Sequence, residues 1–164
     1  MKKIATASSS LKKVVVEMAD GSVAPGYLNP ARLGRAEEFD LLTQSGEHQS
    51  VGLEDVRCVY FVGDFGQAHK PDRTTFFSRP KLDGLWVRLR FRDDDVLEGV
   101  VPNDLLGLLD SGVQITPPDP HGNTQRIFIP RTALAEMKVL GVIGIARRKA
   151  ATGEAGAQPT LFSE

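Results

Sequence analysis

The side chains with the most chemical reach sit on one short stretch, where Trp86, Arg88, Arg90 and Arg92 recur at every second position. In an extended strand that spacing sends all four to one face. Guanidinium groups hold phosphates bidentately and an indole can stack a base, so the stripe is a candidate nucleic-acid contact. The same pattern also suits a solvated outer strand face, with Arg90 paired to Glu98 across a hairpin. Asp93, Asp94 and Asp95 follow at once. Carboxylates suit a hard divalent cation, but the run lacks the spaced ligands and closing glutamate of a calcium loop. Aspartates are ordinary turn residues, and no metal site is expected.

Nothing else in the chain assembles a reaction centre. The single Cys58 lies in an alternating apolar run, which predicts a buried inert thiol and excludes both an internal disulfide and a cysteine zinc cluster. His48, His69 and His121 lie far apart and show no metal-ligand spacing. Asp64-Phe65-Gly66 matches a kinase tripeptide by letters only, with no glycine-rich phosphate loop to accompany it. No catalytic residues and no cofactor are expected. Titratable groups are too scattered for an enzyme.

Composition sets the frame. The chain has 164 residues, 41% hydrophobic and 25% charged, with a net charge of -1, which predicts an ordinary globular protein with no global pull toward nucleic acid or a membrane. The opening MKKIATASSSLKK has lysines but no apolar core, so no secretory signal is read and a cytoplasmic setting is expected. No apolar run approaches the length of a membrane span.

The elements that position these residues come in two copies. VVVEMADGSVAPGYL from Val14 and VRLRFRDDDVLEGVV from Val87 align under one constant shift that also carries Met18 to Phe91, Asp20 to Asp93 and Gly26 to Gly99. Apolar residues match at period two, the strand period. Each copy predicts a hairpin, with three-residue loops at Asp20-Gly21-Ser22 and Asp93-Asp94-Asp95, and Gly21 suited to a left-handed position. Gly26 and Gly99 then fall within strands, where glycine marks a sharp bend. Further strands are expected at 38–43, 50–53 and 57–62, and again at 112–116, 126–130 and 137–143, with helical turns at 53–56 and 132–135. The expected architecture is all-β: two tandem five-stranded barrels at 12–63 and 85–146, a linker at 64–84, and disordered segments at 1–11 and 147–164.

Val14-x-Val16-x-Met18-x-Asp20-Gly21-x-x-x-x-Gly26-x-Leu28 resembles the first signature half of Sm-like proteins, the small SH3-type barrels, and Val87 to Val101 repeats it less completely. The whole chain is similar to uncharacterised bacterial proteins with two such units in tandem. The resemblance implies the barrel fold. It does not carry RNA binding with it, because Asn29-Pro30-Ala31-Arg32 and Val51-Gly52-Leu53-Glu54 stand where Sm-like RNA binders have an Asp-x-x-x-Asn loop and an Arg-Gly loop.

The tail adds one partner motif. Gln158-Pro159-Thr160-Leu161-Phe162 resembles the pentapeptide that docks bacterial proteins onto the replication sliding clamp, with Leu161 and Phe162 entering an apolar pocket and Gln158 bonding at its rim. The alternative is that Leu161 and Phe162 pack back on a barrel. Taken together, the sequence predicts a non-catalytic binding or scaffolding module for a protein or peptide partner. Nucleic-acid binding through the arginine-bearing strand is the alternative.

Overall fold

The computed structural model describes residues 10–104, 106–107 and 111–144. The tail residues Gln158, Leu161 and Phe162, the segment 147–164 and, of the segment 1–11 also expected to be disordered, residues 1–9 lie outside them. Within the described residues the chain is all-β. The strands are β1 (Lys12–Met18), β2 (Val23–Leu28), β3 (Glu38–Thr43), β4 (His48–Gly52), β5 (Val56–Val62), β6 (Gly84–Phe91), β7 (Val96–Val101), β8 (Gly112–Ile115), β9 (Thr124–Pro130) and β10 (Leu134–Ile143). Short 3-10 turns at Leu53–Asp55 and Arg131–Ala133 precede β5 and β10, matching the helical turns read from the sequence.

The duplication holds pair by pair. β1 pairs β2 with Val14 opposite Gly26, and β6 pairs β7 with Val87 opposite Gly99. β1 pairs β5 with Val14 opposite Phe61, and β6 pairs β10 with Val87 opposite Val139. β3 pairs β4 with Leu41 opposite Gln49, and β8 pairs β9 with Ile115 opposite Ile127. β2 pairs β3 at Tyr27–Leu42, and β7 meets β8 at a single bridge, Val100–Thr116.

Closure into two barrels does not occur. The strands form a seven-stranded sheet ordered β4-β3-β2-β1-β5-β9-β8 and a three-stranded sheet ordered β10-β6-β7, both antiparallel and both open. The reason lies in β5. Its outer edge, which would have to meet β4 to close the first unit, is taken by β9 of the second, with Val59 opposite Phe128 and Phe61 opposite Arg126. Including the Val100–Thr116 bridge, the ten strands make one ladder from β4 to β10.

That crossing explains the core. In β1, Val14, Val15, Val16 and Glu17 are all buried, and so are Cys58 to Val62 in β5. A strand buried at successive positions is covered on both faces. Val14, Val16, Val59 and Phe61 face a cluster with Leu41, Leu53 and Phe128, where β9 contributes to the interior of the first unit. Val15, Cys58, Tyr60 and Val62 face a second cluster with Val87, Leu89, Phe91 and Ile127, against the second unit.

Both hairpin loops have three residues, but each starts one position earlier than the sequence suggests. Met18 N–H donates to the Ser22 carbonyl and Phe91 N–H to the Asp95 carbonyl, so the loops are Ala19-Asp20-Gly21 and Arg92-Asp93-Asp94. The left-handed residue of such a loop comes last. Gly21 (φ 94°) and Asp94 (φ 73°) hold that place. The shift puts Arg88, not Arg90, opposite Glu98, and moves Arg92 off the strand into the turn.

Candidate functional site

The arginine stripe is built into the molecule by ion pairs. Glu98, 3% exposed, accepts from Trp86 Nε1 at 3.2 Å and from Arg88 Nε and Nη2 at 3.1 and 2.9 Å. The same carboxylate accepts from Phe76 N–H at 3.0 Å, while Glu98 N–H donates to the Thr74 carbonyl, which fastens residues 74–76 to β7. Burial raises the Glu98 pKa, but the donors of Phe76, Arg88 and Trp86 outweigh it and hold the carboxyl below its ordinary value. Phe76 sets its ring edge-to-face against Trp86 at 6.3 Å. Arg90 pairs with Asp94 at 3.2 Å and Glu136 at 3.5 Å, and Arg92 Nε donates to the Thr132 carbonyl at 2.6 Å. The four residues expected to share one face are brought together only as Trp86, Arg88 and Arg90, each with an internal partner.

A second polar assembly, missed in the sequence, lies in the seam between the units. Glu17 on β1 is buried and accepts from Tyr60 Oη at 2.9 Å and from Arg57 at 3.3 Å, with Lys70 Nζ at 3.4 Å from its other oxygen. Arg57 lies over the Phe91 ring at 4.2 Å and reaches the second unit's turn, pairing with Asp93 at 3.2 Å and Asp95 at 2.8 Å. Desolvation opposes the charge on Arg57, yet its carboxylate partners and Cys58 raise its pKa overall. Burial pushes Tyr60 above its ordinary range and the Cys58 thiol up to about 12. An open groove of about 440 Å³, lined by Arg57, Tyr60, Lys70 and Leu97 among others, runs beside this seam.

The signal for the seam was present. A glutamate directly after three buried valines in a strand covered on both sides must face an interior, and a buried carboxylate needs partners. What the sequence alone lacked was the partner, since Arg57 and the Asp93–Asp95 turn belong to different copies. The 64–84 segment is held down in the same way. Asn123 Nδ2 donates to the Asp64 and Ala68 carbonyls at 3.0 Å each, and Thr124 Oγ1 donates to the His69 carbonyl. His69 tilts against Tyr60 at 5.0 Å, and burial lowers its pKa.

Two backbone edges complete the inventory. β4 and β10 end the ladder, and among the described residues neither has a strand on its outer side. Thr43 N–H donates to Glu47 and Leu53 N–H to Glu37. In an antiparallel pair the facing residues alternate, so Gln49 and Val51 turn their backbone toward β3. His48, Ser50 and Gly52 present theirs outward. On β10, Val139 is 54% and Val142 49% exposed.

These features define a class: an all-β protein of two open antiparallel sheets, in which buried Glu17 holds Tyr60 and Arg57, and Arg57 reaches on to the Asp93–Asp95 turn. The chain belongs to DUF6982, a family of unknown function, which matches residues 10–141. No curated protein and no solved structure matches it.

Proposed function

We propose that this chain is a non-catalytic binding and scaffolding module that takes a protein or peptide partner by strand addition at its sheet edges. The observation that supports it is the ladder ending in two unpartnered strands, β4 and β10. Exposed edges are ready templates for another strand, and proteins that do not use them blunt them with lysine or proline. β4 reads HQSVG and carries neither, whereas β10 carries Lys138 and two register irregularities, so β4 is the edge that suits a partner strand. The finer architectural reading, kinship with small SH3-type barrels, draws support from the strand order 4-3-2-1-5 of the first unit and its repetition in the second.

Affinity capture with the intact chain, a Ser50→Pro variant and a chain lacking residues 158–164 tests the reading. The proline removes an outward N–H from β4 and leaves the backbone bonds to β3 in place, losing only the exposed Ser50 Oγ–Glu38 bond at 2.7 Å, so a partner held on that edge is lost with Ser50→Pro. A partner lost only with the tail deletion would transfer the function to the Gln158–Phe162 motif. Capture that survives both changes counts against the β4 edge. The nucleic-acid reading requires Arg88 and Arg90 to exchange Glu98 and Glu136 for phosphate. No retention of single-stranded RNA or DNA is expected even at low salt, and steeply salt-dependent binding would reverse this choice.

A further inference from the structure

His69 lies on the stretch that joins β5 to β6, its ring tilted against Tyr60 at 5.0 Å. Its Nε2 is buried and has no hydrogen-bond partner among the described residues. A neutral imidazole tolerates that placement, because one of its ring nitrogens carries no proton. An imidazolium does not. It carries N–H on both nitrogens, so a charged donor would be buried against no acceptor. The groups around the ring do not relieve this. From β1, Glu17 favours the proton, but its oxygens are already held by Tyr60 Oη and Arg57 on one side and Lys70 Nζ on the other. Lys70 opposes the proton. From β5 come Tyr60 and Cys58, both kept neutral by burial. The turn before β9 and the start of that strand present the uncharged Asn123 and Thr124, and Asp72 and Asp119 line the hollow between that turn and the segment. Burial is the largest influence on His69 and sets the sign, holding it below its ordinary value of 6.5.

We propose that residues 64–72 form a pH-sensitive strap, closed over the seam between the units while His69 is neutral and opened when His69 takes up a proton. The bonds that close it are few: Asn123 Nδ2 to the carbonyls of Asp64 and Ala68, Thr124 Oγ1 to the His69 carbonyl, and the Lys70–Glu17 pair. Above pH 6.5 His69 is neutral with the strap closed or open, and closure keeps its full strength. Below 6.5 the open form takes up a proton that the closed form resists. The opening constant then rises by up to about tenfold for each pH unit, until the closed form titrates as well. The next anchor along the segment, Phe76 N–H on Glu98, holds through this range, because that carboxyl stays ionised down to below 4.5. Opening is therefore confined to the 64–72 stretch. It carries Lys70 away from Glu17 and widens the groove lined by Arg57, Tyr60 and Leu97, so the seam is covered at neutral pH and reachable in mild acid. The device goes beyond strand addition and stands whether or not β4 takes a partner.

NMR spectra of the full chain from pH 7.5 to 5.5 test this, read at the His69 ring and at the Asn123 side-chain amide. The ring is expected to titrate with a midpoint below 6.5, and the Asn123 amide to leave its bonded position in step with it. His69→Phe keeps a ring against Tyr60 and cannot take up a proton, so its Asn123 amide is expected to stay bonded across the whole range. Thr124→Val is close in shape and removes one bond of the strap. Both signals are then expected to move together, with their midpoint raised toward 6.5. A His69 midpoint at or above 6.5 in the wild type overturns the proposal. So does an Asn123 amide that stays in place while His69 titrates, or one that moves as much in His69→Phe as in the wild type.

Discussion

Glu98 shows what a single buried carboxylate does here. It gathers Trp86, Arg88 and the backbone of Phe76 around two oxygens at 3% exposure. Removing it strands an indole N–H and a backbone N–H, so Glu98→Ala is expected to lower unfolding stability by about 2–3 kcal/mol in urea titrations, the range for lost bonds to a charged group. The pH dependence has a definite sign. A carboxyl whose folded pKa is depressed contributes its stability fully above the ordinary value of 4.5 and loses it as pH falls through the folded value. Urea midpoints measured from pH 7 to pH 3 are expected to fall steeply below 4.5 in the wild type, and less steeply in Glu98→Gln. Equal slopes in the two proteins would show that Glu98 is not the group responsible. The sequence revealed Arg88, Arg90 and Glu98 as charges near a hairpin. It misassigned the pair because one residue of register, set by the left-handed Asp94, decides which arginine faces the glutamate.

At the scale of elements, the strands and both hairpins were legible because apolar alternation and turn residues are local properties of the chain. The β5–β9 pairing was not, since a strand carries no mark of which edge will cover it. One sign did stand in the sequence: the uninterrupted apolar runs at 14–16 and 58–62 suit strands covered on both faces better than a small barrel with a wet outside. The intrastrand glycines, read from the sequence as marks of a sharp bend, stand where neighbouring strands approach closely. A Cβ at Gly26 would lie 2.6 Å from the Leu42 backbone oxygen, and one at Gly99 would lie 2.7 Å from the Ile115 side chain. A backbone atom in a ladder cannot step aside, and at Gly99 the Cβ of buried Ile115, fixed to its own backbone, lies 2.8 Å away. Gly26→Ala and Gly99→Ala are therefore each expected to destabilise by about 1–3 kcal/mol, the overpacking range. A thermal midpoint left unchanged by either variant would show that the neighbouring strand gives way there.

For the whole molecule, the decisive feature is that neither unit owns its interior. Phe128 leaves the second unit through β9 to pack among Val14, Leu41 and Phe61, and Arg57 leaves the first to hold the Asp93–Asp95 turn. Units divided in this way are expected to unfold together. Two native probes can show it. Trp86, the one tryptophan, reports on the second unit by fluorescence. Cys58, the one cysteine, lies on β5 at 0% exposure in the cluster it shares with Val87, Leu89 and Phe91, with its pKa pushed up to about 12, so at pH 8 it alkylates only when β5 parts from the second unit. In a urea series followed by both probes, the midpoints are expected to coincide. Phe128→Ala, a large-to-small change in a packed core, is expected to lower both together by about 3–5 kcal/mol, although the residue belongs to one unit by sequence and to the other by packing. Thiol exposure that moves to lower urea while the tryptophan signal stays fixed would mean that the two units part first, with β5 releasing β9 and the second unit still folded. The duplicated plan would then describe two neighbours sharing an edge, and coincident midpoints would describe one cooperative body built from two copies.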